Sequence, residues 1–238
     1  MIRVKNLYNR YQTKESTIEV LNDISIQCEK NEFVSIIGPS GCGKSTLFKI
    51  IAGIINDYEG QIEVQGSIIY MHQNDNLMPW RTIYRNIMLP YEIKKTDPDG
   101  TFINQLIKEF ELDGFMELYP HQLSGGMKKR ASLLRAYLTD CDIMLLDEPF
   151  GSLDALTKQN MYKWLLDIWS KHKKTVLFIT HDIEEAIYLS DRIYVMGKRP
   201  ATIVDEINIE FKRPRNSDML LGQQYLEYKK RLMESLAK

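Results

Sequence analysis

The stretch Gly38-Pro39-Ser40-Gly41-Cys42-Gly43-Lys44-Ser45 constrains the chain more than any other, matching G-x-x-x-x-G-K-[ST] at every fixed position. Phe33-Val34-Ser35-Ile36-Ile37 before it is short, apolar and partly β-branched, the pattern of a buried strand. Thr46-Leu47-Phe48-Lys49-Ile50-Ile51-Ala52 after it has helical apolar spacing. Strand, loop and helix in that order suit an anion. Glycines let backbone N–H groups approach phosphate oxygens that a Cβ would hold off. The helix opening at Lys44 points its positive end at the same place. Lys44 is expected to reach the β- and γ-phosphates and the Ser45 hydroxyl to ligate Mg²⁺, with Thr46 in the same nucleotide-binding turn.

Composition narrows the setting. Lys+Arg 31 against Asp+Glu 32 leaves a net charge of -1, so nothing suggests nucleic-acid binding through bulk charge. Cys28, Cys42 and Cys141 are far apart and read as reduced thiols. The four histidines are equally dispersed, which argues against a metal site made only of protein ligands. The N-terminus lacks a basic-then-apolar signal pattern, and no apolar run approaches the ~20 residues that span a bilayer. The sequence therefore predicts a soluble, cytoplasmic protein whose membrane role, if any, comes through a partner.

Along the chain, residues 2–7 and 18–28 alternate as antiparallel strands, with Tyr11 in a polar connection between them. Tyr11 or its neighbour Tyr8 is a candidate for stacking on a nucleotide base; an ordinary surface tyrosine is the competing reading. Residues 61–71 give two short strands that end at Gln73, whose amide can meet both Mg²⁺ and an attacking water. Helical patterns around Ile83–Leu89 and Phe102–Leu112, separated by Pro90 and Asp97-Pro98-Asp99-Gly100, interrupt the strand-helix alternation and predict a helical insert. Leu77-Met78-Pro79-Trp80 within it is either a buried corner or a docking face. Ser124-Gly125-Gly126 opens a long helix, a second anion-binding helix end. Ile143-Met144-Leu145-Leu146 delivers Asp147 and Glu148 at a strand end, Asp147 to hold Mg²⁺ through water and Glu148 to take a proton from water. Asp154 is a plausible N-cap for the next helix, and the strand Thr175–Thr180 delivers His181 where it can bond a γ-phosphate.

Read in order, the phosphate loop, Gln73, Leu123-Ser124-Gly125-Gly126, Asp147-Glu148, Ser152-Leu153-Asp154 and His181 resemble the ATP-binding subunit of an ABC transporter. The resemblance covers residue 1 to about 210 and implies an α/β fold: a P-loop NTPase core with a mostly parallel sheet, an N-terminal antiparallel β subdomain and an inserted α-helical subdomain. It implies a cassette over 1–215, with the helical subdomain about 74–137, and a helical tail over 216–238. Two subunits would pair head to tail around two ATP molecules, Ser124-Gly125-Gly126 of one capping the γ-phosphate held by the other. Tyr11 then matches the adenine-stacking position, Gln73 the switch glutamine, Glu148 the catalytic base and His181 the switch histidine, with Asp154 also at the nucleotide.

Leu77-Met78-Pro79-Trp80-Arg81-Thr82, Asn86, Leu89, Pro90 and Met127 resemble more narrowly the nitrate/sulfonate/taurine branch of bacterial importers. Lys128-Lys129-Arg130 departs from the common pattern, which carries glutamine before the arginine. The resemblance implies a Mg²⁺-dependent ATPase, peripheral on the inner face of the cell membrane, gripped near Trp80 by permease subunits that a solute-binding protein supplies. Other ABC branches, and a soluble ABC-type ATPase in translation or repair, are the alternatives. The latter usually carries two cassettes or a long coiled-coil insert, and neither is present. A P-loop kinase would leave Ser124-Gly125-Gly126 without a purpose.

Overall fold

The computed structural model describes residues 1–12, 16–151 and 153–237; Ser152 of the expected Ser152-Leu153-Asp154 motif lies outside them. Two sheets carry the molecule. β1 (Ile2–Gln12), β2 (Thr17–Cys28) and β4 (Glu59–Val64) form an antiparallel sheet in the order β2-β1-β4. The second sheet also contains β3 (Phe33–Ile37), β5 (Ile68–Met71), β6 (Ile143–Asp147), β7 (Thr175–Thr180), β8 (Arg192–Met196) and β9 (Ile203–Asn208), in the order β5-β6-β7-β3-β8-β9. Its pairs are parallel except β8 with β9. Every residue of β3, β6 and β7 is buried, as near-continuous apolar runs in a sheet covered on both faces must be.

The parallel register aligns the strand ends. Ile37 pairs with Thr180, Asp147 with Ile179 and Met71 with Leu146, so the residues after β3, β5, β6 and β7 emerge at one edge. That edge, outside the carboxyl ends of the strands, is where an open α/β sheet holds ligands.

Helices complete the layers: α1 (Lys44–Ile51), α2 (Ile83–Ile87), α3 (Leu89–Lys94), α4 (Gly100–Glu109), α5 (Gly125–Tyr137), α6 (Ala155–His172), α7 (Ile183–Leu189) and α8 (Gln223–Leu236). The insert between β5 and β6 thus holds α2 to α5. Its apolar face, including Ile83, Ile87, Leu106 and Phe110, joins one cluster with Leu146, Phe150 and Phe178 of the main sheet. Tyr225 and Leu232 of α8 are buried with Ile37, Ala186 and Ile193, so the tail helix packs against α7 and β8.

Two local expectations are revised. Pro90 does not separate helices; it lies in the first turn of α3, where a missing N–H costs nothing. Tyr11 is not in a connection but in β1, opposite Ile18, because the ribbon's exposed end accepts polar side chains on both faces.

Candidate active site

The loop from Gly38 to Gly43 runs from the end of β3 into α1. Gly43 has φ +125°, and a Cβ there would lie 2.9 Å from both Leu21 Cδ2 and Val20 Cγ1, so glycine is required on conformation and on space. The antiparallel sheet thus forms the wall against which the loop is pressed. Lys44 is 5% exposed, and its Nζ donates to the carbonyls of Gly38 at 2.8 Å and Pro39 at 3.0 Å, which curls the cation over the loop. Cys42 is buried, and burial pushes its thiol up, so it packs rather than reacts.

Asp147 closes β6 and is 6% exposed. Ser45 Oγ donates to its Oδ1 at 3.2 Å and Tyr70 Oη to its Oδ2 at 2.8 Å. Burial, reinforced by the Asp147 carboxylate, raises the Tyr70 phenol, which stays a proton donor. Glu148 follows with φ 43°, a left-handed conformation unusual for a side chain of its size. Its N–H donates to the Ile179 carbonyl at 3.0 Å, which ties the turn to β7. One carboxylate oxygen, Glu148 Oε2, lies 3.1 Å from His181 Nδ1 and accepts from Gln73 Nε2 at 3.4 Å. Residues from the ends of three strands therefore converge on a single oxygen.

Ser45, Gln73 and Glu148 line a cleft of about 350 Å³ together with Ser40, Gly41, Gly43, Lys44, Thr46 and Arg199, and Asp147 and His181 join it through their contacts with Ser45 and Glu148. Its floor is cationic and rich in backbone N–H groups, and its far wall is a carboxylate, a site for phosphates on one side and a water on the other. Hard oxygen donors suit a magnesium ion, which binds through one or two carboxylates plus substrate phosphates and keeps several waters. The Ser45–Asp147 pair, with the Gln73 amide nearby, offers such a set. Among the described residues no group of three or more His, Cys, Asp or Glu could hold a metal by itself.

Not every candidate is gathered here. The lining includes neither Tyr11 nor Tyr8, which stand 42% and 39% exposed on the antiparallel sheet. Ser124, Gly125 and Asp154 are exposed and also outside it. Ser124 Oγ caps α5 by accepting from Met127 N at 3.3 Å, and Asp154 Oδ1 caps α6 by accepting from Thr157 N at 3.0 Å. The two helix starts adjoin, since a Cβ on Gly125 would meet Leu153 at 3.1 Å and one on Gly126 would meet Thr157 at 3.2 Å. Trp80 is 73% exposed, which removes the buried-corner reading. Sequence reasoning missed Tyr70 and Arg199. Arg199 donates to the Gly41 carbonyl at 2.6 Å from the middle of the β8–β9 connection, and nothing local to it signals that contact.

Comparison with known proteins bears on this geometry. A family model described as "ABC transporter" matches residues 21–151. The aliphatic sulfonates import ATP-binding protein SsuB of Bacillus cereus is 43% identical over 90% of this chain and 89% of its own length. Among solved structures, the dimeric structure of a bacterial ABC transporter cassette superimposes with a TM-score of 0.76 at 29% identity, covering 89% of this chain and all of that one. A post-hydrolysis dimer bound to ADP and Pi matches with the same TM-score, at 28% identity over the same shares of the two chains.

Proposed function

Because this chain belongs to the ABC transporter family and is an ATPase of it, we propose that it is the Mg²⁺-dependent subunit that powers a bacterial importer of small organic or inorganic anions, sulfonates foremost. The convergence of Gln73 and His181 on Glu148 Oε2, opposite the Lys44 loop, carries this reading.

The loop N–H groups and Lys44 bind the phosphates of ATP and offset the charge that develops on them. Ser45, Asp147 and Gln73 would hold Mg²⁺, which neutralises phosphate charge when bound. Glu148 accepts the proton of the attacking water at a carboxylate oxygen whose direction Gln73 and His181 fix. Tyr70 holds the Asp147 carboxylate from below. Tyr11 stacks on the adenine.

The exposed ends of α5 and α6 support a head-to-tail homodimer in which Ser124, Gly125, Gly126 and Asp154 face the partner's nucleotide. Residues 1–215 act as the cassette and 216–238 as a tail. Among the described residues no helix is long and apolar enough to cross a membrane, and we place the subunit on the inner membrane face beneath its permease. A groove of about 290 Å³ between β5, α3 and α5, lined by Ile69, Met71, Pro90, Ile93 and Ala136, suits a permease helix, with exposed Trp80 on the loop that leads into α2. A solute-binding protein delivers the anion to that permease.

Glu148→Gln tests the assignment. It keeps hydrogen bonding but cannot take the proton, so turnover should fall ~10²–10⁴-fold while ATP still binds. ATP should then hold the variant as a dimer in size-exclusion chromatography. Wild-type turnover by this variant removes Glu148 from its role.

A further inference from the structure

The departure Lys128-Lys129-Arg130 falls on the helix that opens at Ser124. Lys129 is 3% exposed, and its Nζ donates to the main-chain carbonyl of Gln73 at 2.6 Å. The same Nζ lies 2.7 Å from Asp75 Oδ1, an ion contact without hydrogen-bond alignment. Ser132 and Arg135 follow at spacings of three on the same helix face. Ser132 Oγ donates to the Asp75 carbonyl at 2.8 Å, and Arg135 donates to the Asn76 carbonyl at 2.9 Å and the Asp75 carbonyl at 3.1 Å. The segment Gln73–Asn76 is thus fixed to α5 through its backbone, and Lys129 holds the residue that matters chemically.

We propose that Lys129 is a positioning residue for hydrolysis: it makes the placement of the Gln73 amide beside Glu148 depend on α5, the helix whose first turn faces the nucleotide of the second subunit. This rests on the head-to-tail pairing proposed above. Lys129 lies six residues along α5 from Gly125's N-cap Ser124, counting both, and a helix transmits displacement along so short a length as a rigid body. Movement of α5 when Ser124 engages the partner's ATP carries Lys129 with it, and with Lys129 the Gln73 carbonyl. The Gln73 amide in turn donates to Glu148. Each site thereby senses the occupancy of the other. Stability alone is weak ground for such a pair, since replacing both members of a buried ion pair by apolar side chains is often neutral.

The full-length chain carrying Lys129→Met, Lys129→Gln or Asp75→Asn tests this. Lys129→Met should lower kcat about tenfold, the scale of a small misplacement at a reacting centre. KM for ATP should stay within about twofold, because the phosphate loop is untouched. The melting temperature should fall by a few degrees in Lys129→Met and Lys129→Gln alike, because both leave Asp75 without its cation while its side chain stays 26% exposed to water. Lys129→Gln keeps a donor for the Gln73 carbonyl and should recover most of kcat, and Asp75→Asn should fall between. A kcat loss that tracks melting temperature across the three, or a rise in KM in place of the kcat loss, overturns the proposal. Size-exclusion chromatography with ATP, in the Glu148→Gln background, separates the two readings. No dimer from Glu148→Gln itself sinks the pairing and the inter-site coupling with it. A dimer there, together with wild-type kcat in Lys129→Met, sinks the role of Lys129 alone.

Discussion

Glu148 and His181 leave strands in which every residue is buried, whereas Gln73 leaves β5, an edge strand of the sheet with three of its four residues only partly buried. The same oxygen therefore receives contacts from a rigid frame and from a segment held by side chains reaching to its backbone. The frame continues beneath His181. Glu185 is 2% exposed and accepts from Tyr162 Oη at 2.9 Å and from the Thr180 hydroxyl, with Lys158 Nζ at 3.1 Å from the same carboxylate. Burial alone would lower the Lys158 ammonium, but Glu185 and Asp182 outweigh it and leave it raised. This network ties α6 to α7 across the end of β7. On the insert's side, Asn86 is fully buried. Its Nδ2 donates to the carbonyls of Met78, Arg81 and Thr82 at 3.0–3.1 Å, and its Oδ1 accepts from Met78 N at 2.7 Å. One amide thus shapes the whole turn that carries Trp80. A frame built from charge and strand burial resists change, while a segment hung on a few backbone contacts can be moved by a partner.

The largest expected effect separates these constructions by stability. Glu185→Ala leaves Lys158 with only Asp182 at 3.4 Å and removes the acceptor of two buried hydroxyls. Breaking a buried pair in this way should cost about 3 kcal/mol, read by urea unfolding. A loss too small to measure would mean the frame is not held from beneath, and the contrast with the insert would fail. Asn86→Ala should cost less, about 2 kcal/mol, because the freed carbonyls lie near the surface and water can reach them. ATP affinity should not change with it. If Asn86→Ala weakens ATP binding as much as it weakens folding, the turn and the phosphate loop are one unit rather than two.

Legibility in the sequence follows the same division. The frame could be read because its chemistry is local: an apolar run, a polar residue at its end, a glycine loop where the chain must approach an anion. Gly43, Asp147, Glu148 and His181 are all of this kind. The contacts of Lys129 and Asn86 were not derivable, since both depend on where a helix packs on a loop far away in sequence or around a turn without periodicity. Arg199 reaches the phosphate loop across 158 residues, which no spacing argument reaches. Tyr11 is local in the same sense as the frame residues: its type suits an adenine, and the fold places it on the exposed end of β1.

Of the three substitutions, Trp80→Ala should disturb the stability of the isolated subunit least. An indole 73% exposed has little to lose on truncation, whereas a buried tryptophan reduced to alanine costs about 3–5 kcal/mol. The turn beneath it is held by Asn86 and by Thr82, which caps α2, and neither contact involves the indole. Trp80→Ala should therefore melt like the parent and bind ATP as well. Its expected loss is in the complex: an aromatic anchor at an interface commonly contributes 2 kcal/mol or more, roughly thirtyfold in affinity. Co-purification with the permease and transport in cells should both fall, while the ATPase rate of the isolated subunit stays unchanged. Asn86→Ala, which disorders the turn but keeps the indole, should weaken the complex in the same direction if the insert works by presenting Trp80 rigidly. A melting temperature well below the parent's, or undiminished co-purification, removes Trp80 as the grip. The moving half of the site would then have to be reached through the groove between β5 and α3 alone.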